Sequence, residues 1–227
     1  MENLDTRINF LSQFPLFKNL SETEKRTLAQ SMERKVFRRY KTIYTPGDSS
    51  GKLFLLEKGT VKISTHSDDG REVIKSLIHP IAMFGEMGLV GEESRKDFAQ
   101  VLKEDVQVYI LEVAQIKSLM QTNFTLCNDV MSLFGSRLMR AENKLEALIF
   151  KDARTRIIDF IKDSIMDRGR RIGYEMLLRH SLTHQDIANI TCTSRQTVTL
   201  VLNELKKSNL IHFNRGKILV RDMEALA

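Results

Sequence analysis

The stretch Leu182–Ile211, LTHQDIANITCTSRQTVTLVLNELKKSNLI, decides how the whole chain reads. It carries the marks of two short helices joined by a tight turn. Thr183 precedes an apolar run and Asp186 follows three residues later. That is the spacing at which a hydroxyl and a carboxylate cap each other's backbone N–H groups. Ile187 and Ile190 give the first helix an apolar side before the chain turns through Thr191, Cys192 and Thr193. Ser194 suits the N-cap of the second helix. In that helix Val198, Val201, Leu202 and Leu205 fall at i, i+3, i+4 and i+7, a stripe that must face a core. The opposite side carries Arg195, Gln196, Thr199, Leu200 and Asn203. In a helix-turn-helix the residues near the start of the second helix reach base edges, so Arg195, Gln196, Thr199 and Leu200 are the expected base readers. A helical hairpin with a solvated polar face would share the pattern, so the surroundings matter.

Two neighbours favour the DNA reading. Ile211-His212-Phe213 and Ile218-Leu219-Val220 flank Asn214-Arg215-Gly216-Lys217, a strand-turn-strand pattern that makes a small wing. Residues 151–227 also hold 14 Lys and Arg against 9 Asp and Glu, so +5 of the chain's formal charge of +6 lies there. A positive balance concentrated in one segment is what a phosphate-binding surface needs.

The run T-H-Q-D-I-A, followed after five residues by S-R-Q-T-V and two leucines, resembles the DNA-binding module of the CRP/FNR regulators, the cyclic-AMP receptor protein and its relatives. The resemblance extends over nearly the whole chain. It implies an α+β protein: a cyclic-nucleotide-binding-type β-roll over residues 1–121, a dimerisation helix over 122–150, and a winged helix-turn-helix over 151–227.

The residues themselves agree with that division. From about Val36 to Leu111 short β-branched and apolar runs alternate with turn signals, as in a β-sandwich or jelly roll. Residues 6–35 read as helical, with Ser21 and Glu24 as a capping box. Phe124, Cys127, Met131, Phe134, Leu138, Ala141, Leu145 and Leu148 alternate spacings of three and four. That is a 3.5-residue repeat, the period of a left-handed two-helix seam. A helix packed on its own domain could show a similar stripe. In the family the corresponding helix makes a parallel dimer interface. Arg168-Gly169-Arg170-Arg171-Ile172-Gly173 reads as a loop with solvated arginines.

A second candidate site is Phe84-Gly85-Glu86-Met87-Gly88-Leu89, similar to the start of the family's phosphate-binding cassette. The resemblance implies backbone N–H groups around a cyclic phosphate, a Glu on the ribose hydroxyl, and an Arg followed by Ser or Thr. Counted without gaps, the chain has Lys96-Asp97 in place of that pair, and Ala141 and Glu142 where hydroxyls meet the adenine. An Asp beside a phosphate would repel it by roughly 4 kcal/mol at 4 Å and an effective dielectric of 20. These departures argue against cyclic AMP. A slip of one or two residues would instead put Arg95 at the anion site, so the effector stays open: absent, unknown, or a small anion.

Other chemistry finds little support. The chain's two cysteines, Cys127 and Cys192, lie far apart and form neither a disulfide framework nor a metal cluster. His66 and His79 sit beside polar or Pro neighbours and make poor haem ligands, and residues 1–30 hold no Cys for an iron–sulfur site. No nucleophile–base pairing, P-loop or dinucleotide motif suggests an enzyme. With no export signal and no apolar run near the eighteen or so residues of a membrane span, a cytoplasmic protein is expected.

The expected function is sequence-specific DNA binding by a homodimer that regulates transcription, with RNA polymerase as a further partner. A ligand-binding signalling subunit without DNA contact is the rival, and it leaves the helix-turn-helix unexplained. Arg195 matches the family arginine that contacts guanine. Gln196 stands where relatives usually have Glu, and Leu200 where they usually have Arg, which predicts an operator richer in A·T. Thr183, Gln185, Ser194, Thr197 and Lys217 are the expected phosphate contacts. Cys192 sits at a turn position that is often Gly in relatives, so a positive φ there would cost about 1 kcal/mol.

Overall fold

The computed structural model describes residues 3–226. Its elements run α1 (Leu4–Leu11), α2 (Pro15–Lys18), α3 (Glu22–Ser31), β1 (Glu33–Phe37), β2 (Thr42–Tyr44), β3 (Lys52–Lys58), β4 (Val61–His66), β5 (Glu72–Ile78) and β6 (Ala82–Phe84). A 3-10 turn over Glu86–Val90 leads to β7 (Phe98–Val101), β8 (Val106–Glu112), α4 (Val113–Thr122) and α5 (Phe124–Phe150). Then follow α6 (Ala153–Arg168), β9 (Arg170–Ile172), β10 (Glu175–Arg179), α7 (His184–Thr191), α8 (Arg195–Lys207), β11 (Ile211–Asn214) and β12 (Lys217–Val220). Residues 1–65 with 75–140 form one compact unit, and 66–74 with 141–227 form a second.

The first unit holds two four-stranded sheets, ordered β1-β8-β3-β6 and β2-β7-β4-β5. Central strand β3 is buried on both faces, and its alternation assigns each side chain to a core. Phe54 and Leu56 pack between the sheets with Val61, Val101, Val108 and Ile110. Leu53 and Leu55 face the helices, against Phe10, Phe14, Phe17, Leu28 and Tyr109. The N-terminal segment is not continuously helical. It breaks between α1, α2 and α3, and Glu33–Phe37 is a strand. Its charged sequence hides this because β1 is an edge strand, paired on one side with β8 and largely exposed. Ser21 and Glu24 form the capping box read from their spacing.

The second unit is built on a four-stranded antiparallel sheet, β11-β12-β10-β9. Here the expected loop at 168–173 needs correction. Arg170–Ile172 is strand β9, paired with Glu175–Leu177 of β10. It lies at the sheet edge with all three residues exposed, so no hydrophobic alternation marks it in the sequence. Ile157, Ile158, Ile161 and Ile165 of α6 are buried in this unit, together with Ile187, Val198, Leu202 and Leu205.

Helix α5 shows two faces. Leu126 and Val130 are buried, and Leu133 and Phe134 pack against the helical core of the first unit. Along the 3.5-residue stripe, Phe124 (77% exposed), Met131 (61%), Leu138 (61%), Leu145 (58%) and Leu148 (40%) are exposed. Ala141 is exposed too. Cys127 is half-buried and its Sγ donates to the Met120 carbonyl at 3.0 Å. Met139, Ile149 and Phe150, which the strict repeat passes over, are also exposed. Among the described residues, no helix is long and apolar enough to cross a membrane.

Candidate nucleic-acid interface

The helix pair is set by bonds that span three residues. Thr183 N–H donates to Asp186 Oδ2 at 2.7 Å, and Asp186 N–H donates to Thr183 Oγ1 at 3.1 Å. Both arms of the capping box are therefore closed at the start of α7. At its end Cys192 adopts φ +51°, the left-handed conformation that favours glycine. Arg156, reaching from α6, holds this turn by donating to the carbonyls of Thr191 at 3.0 Å and Cys192 at 3.2 Å. Ser194 Oγ then accepts from Thr197 N–H at 3.0 Å and starts α8. Val198, Val201, Leu202 and Leu205 are buried, which turns the opposite face outward.

That outward face differs in one residue from the expected set of base readers. Arg195 and Gln196 are exposed, and Leu200 is 70% exposed. Thr199 is half-buried: its Oγ1 donates to the Arg195 carbonyl at 2.9 Å and lies 3.0 Å from His184 Nδ1. Among the expected phosphate contacts, Thr183 and Gln185 are exposed, as are Ser194 and Lys217. Thr197 is half-buried, with its hydroxyl 2.8 Å from that of Ser194. The wing closes through β11 and β12, with Asn214 opposite Lys217. His184 packs its ring 5.9 Å from that of Phe213 in β11, and Lys206 lies 5.4 Å from the same Phe213 ring. Partial burial, reinforced by the Arg195 charge, holds His184 below the usual histidine pKa.

The second site is a cavity of about 150 Å³ in the first unit, lined among others by Tyr44, Gly85, Glu86, Arg95 and Arg137. Gly85, at φ +78°, opens the 3-10 turn. Gly88 is required by space, since a Cβ there would meet the Ser50 carbonyl oxygen at 2.1 Å. Arg95, not Lys96, turns inward. Its N–H donates to the Asp48 carbonyl at 2.7 Å and its own carbonyl accepts from Gly47 N–H at 2.9 Å, which fixes the backbone on either side of it. Arg95 is 4% exposed, and its guanidinium donates to the carbonyls of Gly85 (2.8 Å) and Lys52 and lies 4.6 Å from the Tyr44 ring.

The gapless count is thus corrected by one residue. Lys96 and Asp97 also line the cavity, but Lys96 is exposed and Asp97 pairs with Lys75 of the same lining at 2.5 Å. Ala141 and Glu142 do not line the cavity. Arg137, one turn earlier on α5, does, and the sequence reading passed over it. It forms an ion pair with Glu86, which is 2% exposed, and donates to the Met83 carbonyl at 3.3 Å. Burial pushes the Glu86 carboxyl above the usual range, against the pull of Arg137 and Arg95. Arg95 Nε and Glu86 Oε2 are buried and have no hydrogen-bond partner.

A β domain with this glycine-bracketed cavity, a long helix with an uncovered apolar face, and a winged helix-turn-helix define a DNA-binding regulator with a cyclic-nucleotide-binding-type domain. Comparison with known proteins agrees. A family model described as the cyclic nucleotide-binding domain matches residues 34–123, and one described as the Crp-like helix-turn-helix domain matches residues 155–227. The global nitrogen regulator of Synechococcus elongatus is 29% identical over 84% of this chain and 86% of its own. The CRP-like cAMP-activated global transcriptional regulator of Mycobacterium tuberculosis is 25% identical over 96% of each. Among solved structures, FixK2 from Bradyrhizobium japonicum superposes with a TM-score of 0.77 at 18% identity, covering 86% of this chain and 95% of that one, a likeness of fold. The chain belongs to the CRP/FNR family and is a DNA-binding transcriptional regulator of that type.

Proposed function

We propose that two copies of this chain pair along the exposed face of α5 and present their α8 helices to half-sites about 34 Å apart on a two-fold-related operator. The observation that carries this is the run of exposed apolar side chains along one helix, Phe124, Met131, Leu138, Leu145 and Leu148, whereas the other exposed large apolar residues are scattered over many elements. An uncovered apolar surface with a 3.5-residue period calls for a second helix of the same period. Arg195, Gln196 and Leu200 read base edges, and Thr183, Gln185, Ser194, Thr197 and Lys217 face phosphates. The protein acts in the cytoplasm, where its DNA and RNA polymerase are found.

Replacement of Leu138 by Glu tests the reading. Sedimentation equilibrium is expected to show a monomer in place of a dimer, with affinity for a selected operator falling about 100-fold or more because the second half-site no longer binds intramolecularly. A dimeric Leu138→Glu protein with unchanged affinity would overturn it.

A second reading is favoured by one specific observation, the unpartnered Arg95 Nε and Glu86 Oε2 at the same cavity. Buried polar groups without partners are uncommon in native proteins, and here a donor and an acceptor are both open. They suit a small anion that also carries a hydrogen-bond donor, so the cavity is proposed as the effector site. A thermal-shift titration with cyclic AMP and with inorganic phosphate, repeated on Arg95→Gln, checks this. Stabilisation of the parent protein by either ligand, lost in the variant, is the expected result, and no shift with both would count against it.

A further inference from the structure

The side chains that tie α7, α8 and the wing together carry an inference about specificity, which rests on the reading of α8 as the base-reading helix. We propose that His184 is a specificity-determining positioning residue: it holds the Thr199 hydroxyl in place, so that Thr199 does not turn to donate to bases and discrimination falls to Arg195 and Gln196.

A threonine hydroxyl has one proton to donate. Thr199 gives it to the Arg195 carbonyl at 2.9 Å. Toward His184 Nδ1, 3.0 Å away, the oxygen can therefore only accept, and the ring must donate. The tautomer that satisfies both contacts carries the proton on Nδ1 and the lone pair on Nε2. A neutral ring is what its surroundings favour, because partial burial and the Arg195 guanidinium both disfavour a second proton. The ring cannot swing away freely, since it packs against Phe213 of β11, which is itself approached by Lys206 of α8.

Thr199 is therefore held by one bond given and one received. It has no proton left for guanine O6 or N7, adenine N7 or thymine O4, the acceptors on the major-groove edge. Turning the hydroxyl to donate to a base would break its bond to the Arg195 carbonyl and the one from His184, a penalty of about fivefold in affinity for each one lost. Only its second lone pair stays open, to an amino group that approaches it in place.

The test is selection of bound sequences from a randomised duplex library by the full chain, with the affinity for random-sequence duplex and the melting temperature measured in parallel. Four proteins are compared with the parent. His184→Phe keeps a ring beside Phe213 but loses the donor. His184→Asn places an amide N–H near the position of Nδ1. Thr199→Val removes the hydroxyl at nearly constant shape, and the fourth protein combines His184→Phe with Thr199→Val.

Thr199→Val is expected to keep the parent's base preferences, and His184→Phe to shift them about fivefold or more at one base pair of each half-site. In His184→Phe only the intrahelical bond to the Arg195 carbonyl still holds the hydroxyl, so it can turn toward the groove. His184→Asn should restore the parent pattern by renewing the second bond, and the double variant should restore it because it has no hydroxyl to turn. Random-duplex affinity and melting temperature stay close to the parent's throughout. A shift caused by Thr199→Val alone would mean that its hydroxyl reads a base directly and would overturn the proposal. So would a His184→Phe protein with unchanged preferences, or a double variant that retains the shift. If His184→Phe does not fold, Thr199→Val and His184→Asn still decide, since both must match the parent. Selection that enriches no sequence even with the parent, or preferences that survive Arg195→Ala, would instead sink the underlying reading of α8.

Discussion

The reading head and the cavity use polar side chains in opposite ways. At the head, capping bonds close over three residues, Thr183 to Asp186 and Ser194 to Thr197, and leave Arg195, Gln196 and Leu200 facing outward. In the cavity, groups apart in sequence turn inward onto one another: Glu86 pairs with Arg137, and Arg95 donates to the carbonyls of Gly85 and Lys52. The first arrangement suits a long partner that brings its own charge. The second suits a small partner that must displace or join pairs already made. The electrostatic cost of a mutation should differ accordingly, high in the cavity and low at the head, while the functional cost at the head should appear only when DNA is present.

The largest effect expected on the folded chain comes from Arg137→Met. It leaves the Glu86 carboxylate buried without its main counter-charge, a loss of about 3 kcal/mol for a broken buried pair. The pH dependence follows from Glu86, whose pKa is already held above the usual 4.5 by burial and which rises further once Arg137 is removed. A carboxyl raised in the folded state binds more protons there than in the unfolded chain. Its penalty is therefore absent below the unfolded value and grows as pH rises through the folded one. Urea denaturation should show a deficit against the parent at pH 7 that shrinks toward pH 4. A deficit of the same size at both values would mean that Arg137 acts through packing alone, and the contrast drawn for the cavity would fail.

Next comes Arg195→Ala, with the opposite signature. Unfolding should be unchanged, because the side chain is exposed and α8 keeps its Ser194 cap. Discrimination at one base pair of each half-site should fall by about 1–3 kcal/mol, the worth of a bidentate contact to guanine. Competition binding with single-substitution duplexes measures this. Equal loss on every duplex would demote Arg195 to a phosphate contact.

The same contrast explains what could be read from the sequence. Caps and apolar stripes repeat within a few residues, so the two helices, the wing and the α5 seam could be read by spacing. The apolar period of α5 was legible too, although the fold turns Phe134 of that stripe onto the first unit's core. Arg137 was not, because it lies 51 residues from Glu86 and off the seam, and only the folded β domain brings the two together. Nor was the place of Arg95, which is fixed by backbone bonds to Gly47 and Asp48 rather than by position within the cassette. Edge strands β1 and β9 escaped for another reason. Each pairs with one neighbour and exposes charged residues on both faces, so neither shows the alternation that marks a half-buried strand. The fixed state of Thr199 was hidden too, since Thr199 looks like any polar residue on an outward face until His184 is seen beside it.

Ser194→Ala tests whether the short-range bonds at the head carry stability as well as shape. Loss of the cap on Thr197 N–H should lower stability by about 1 kcal/mol, with discrimination at the Arg195 base pair reduced as the first turn of α8 frays. Thermal melts and the competition assay together check it. A stability loss near 3 kcal/mol would place the head in the same energetic class as the cavity.

The smallest effect belongs to the turn between the two helices, and its sign is the opposite of the others. Cys192 holds φ +51° and ψ 54°, where a side chain costs about 1 kcal/mol relative to glycine. Cys192→Gly relieves that strain. Two effects oppose the gain: a more flexible unfolded chain, and the loss of a half-buried thiol. The Arg156 bonds that hold the turn go to backbone carbonyls, so they survive the substitution. The net expectation is a gain of a few tenths of a kcal/mol, up to about 1. It should be seen as a higher denaturation midpoint at constant slope. Cys192→Ala separates the contributions, because it keeps the strain and removes the thiol. If Ala is destabilising and Gly is not, the turn geometry sets the sign. If both are destabilising to the same degree, the thiol's contacts outweigh the backbone, and the head depends on packing at a point where spacing alone suggested none.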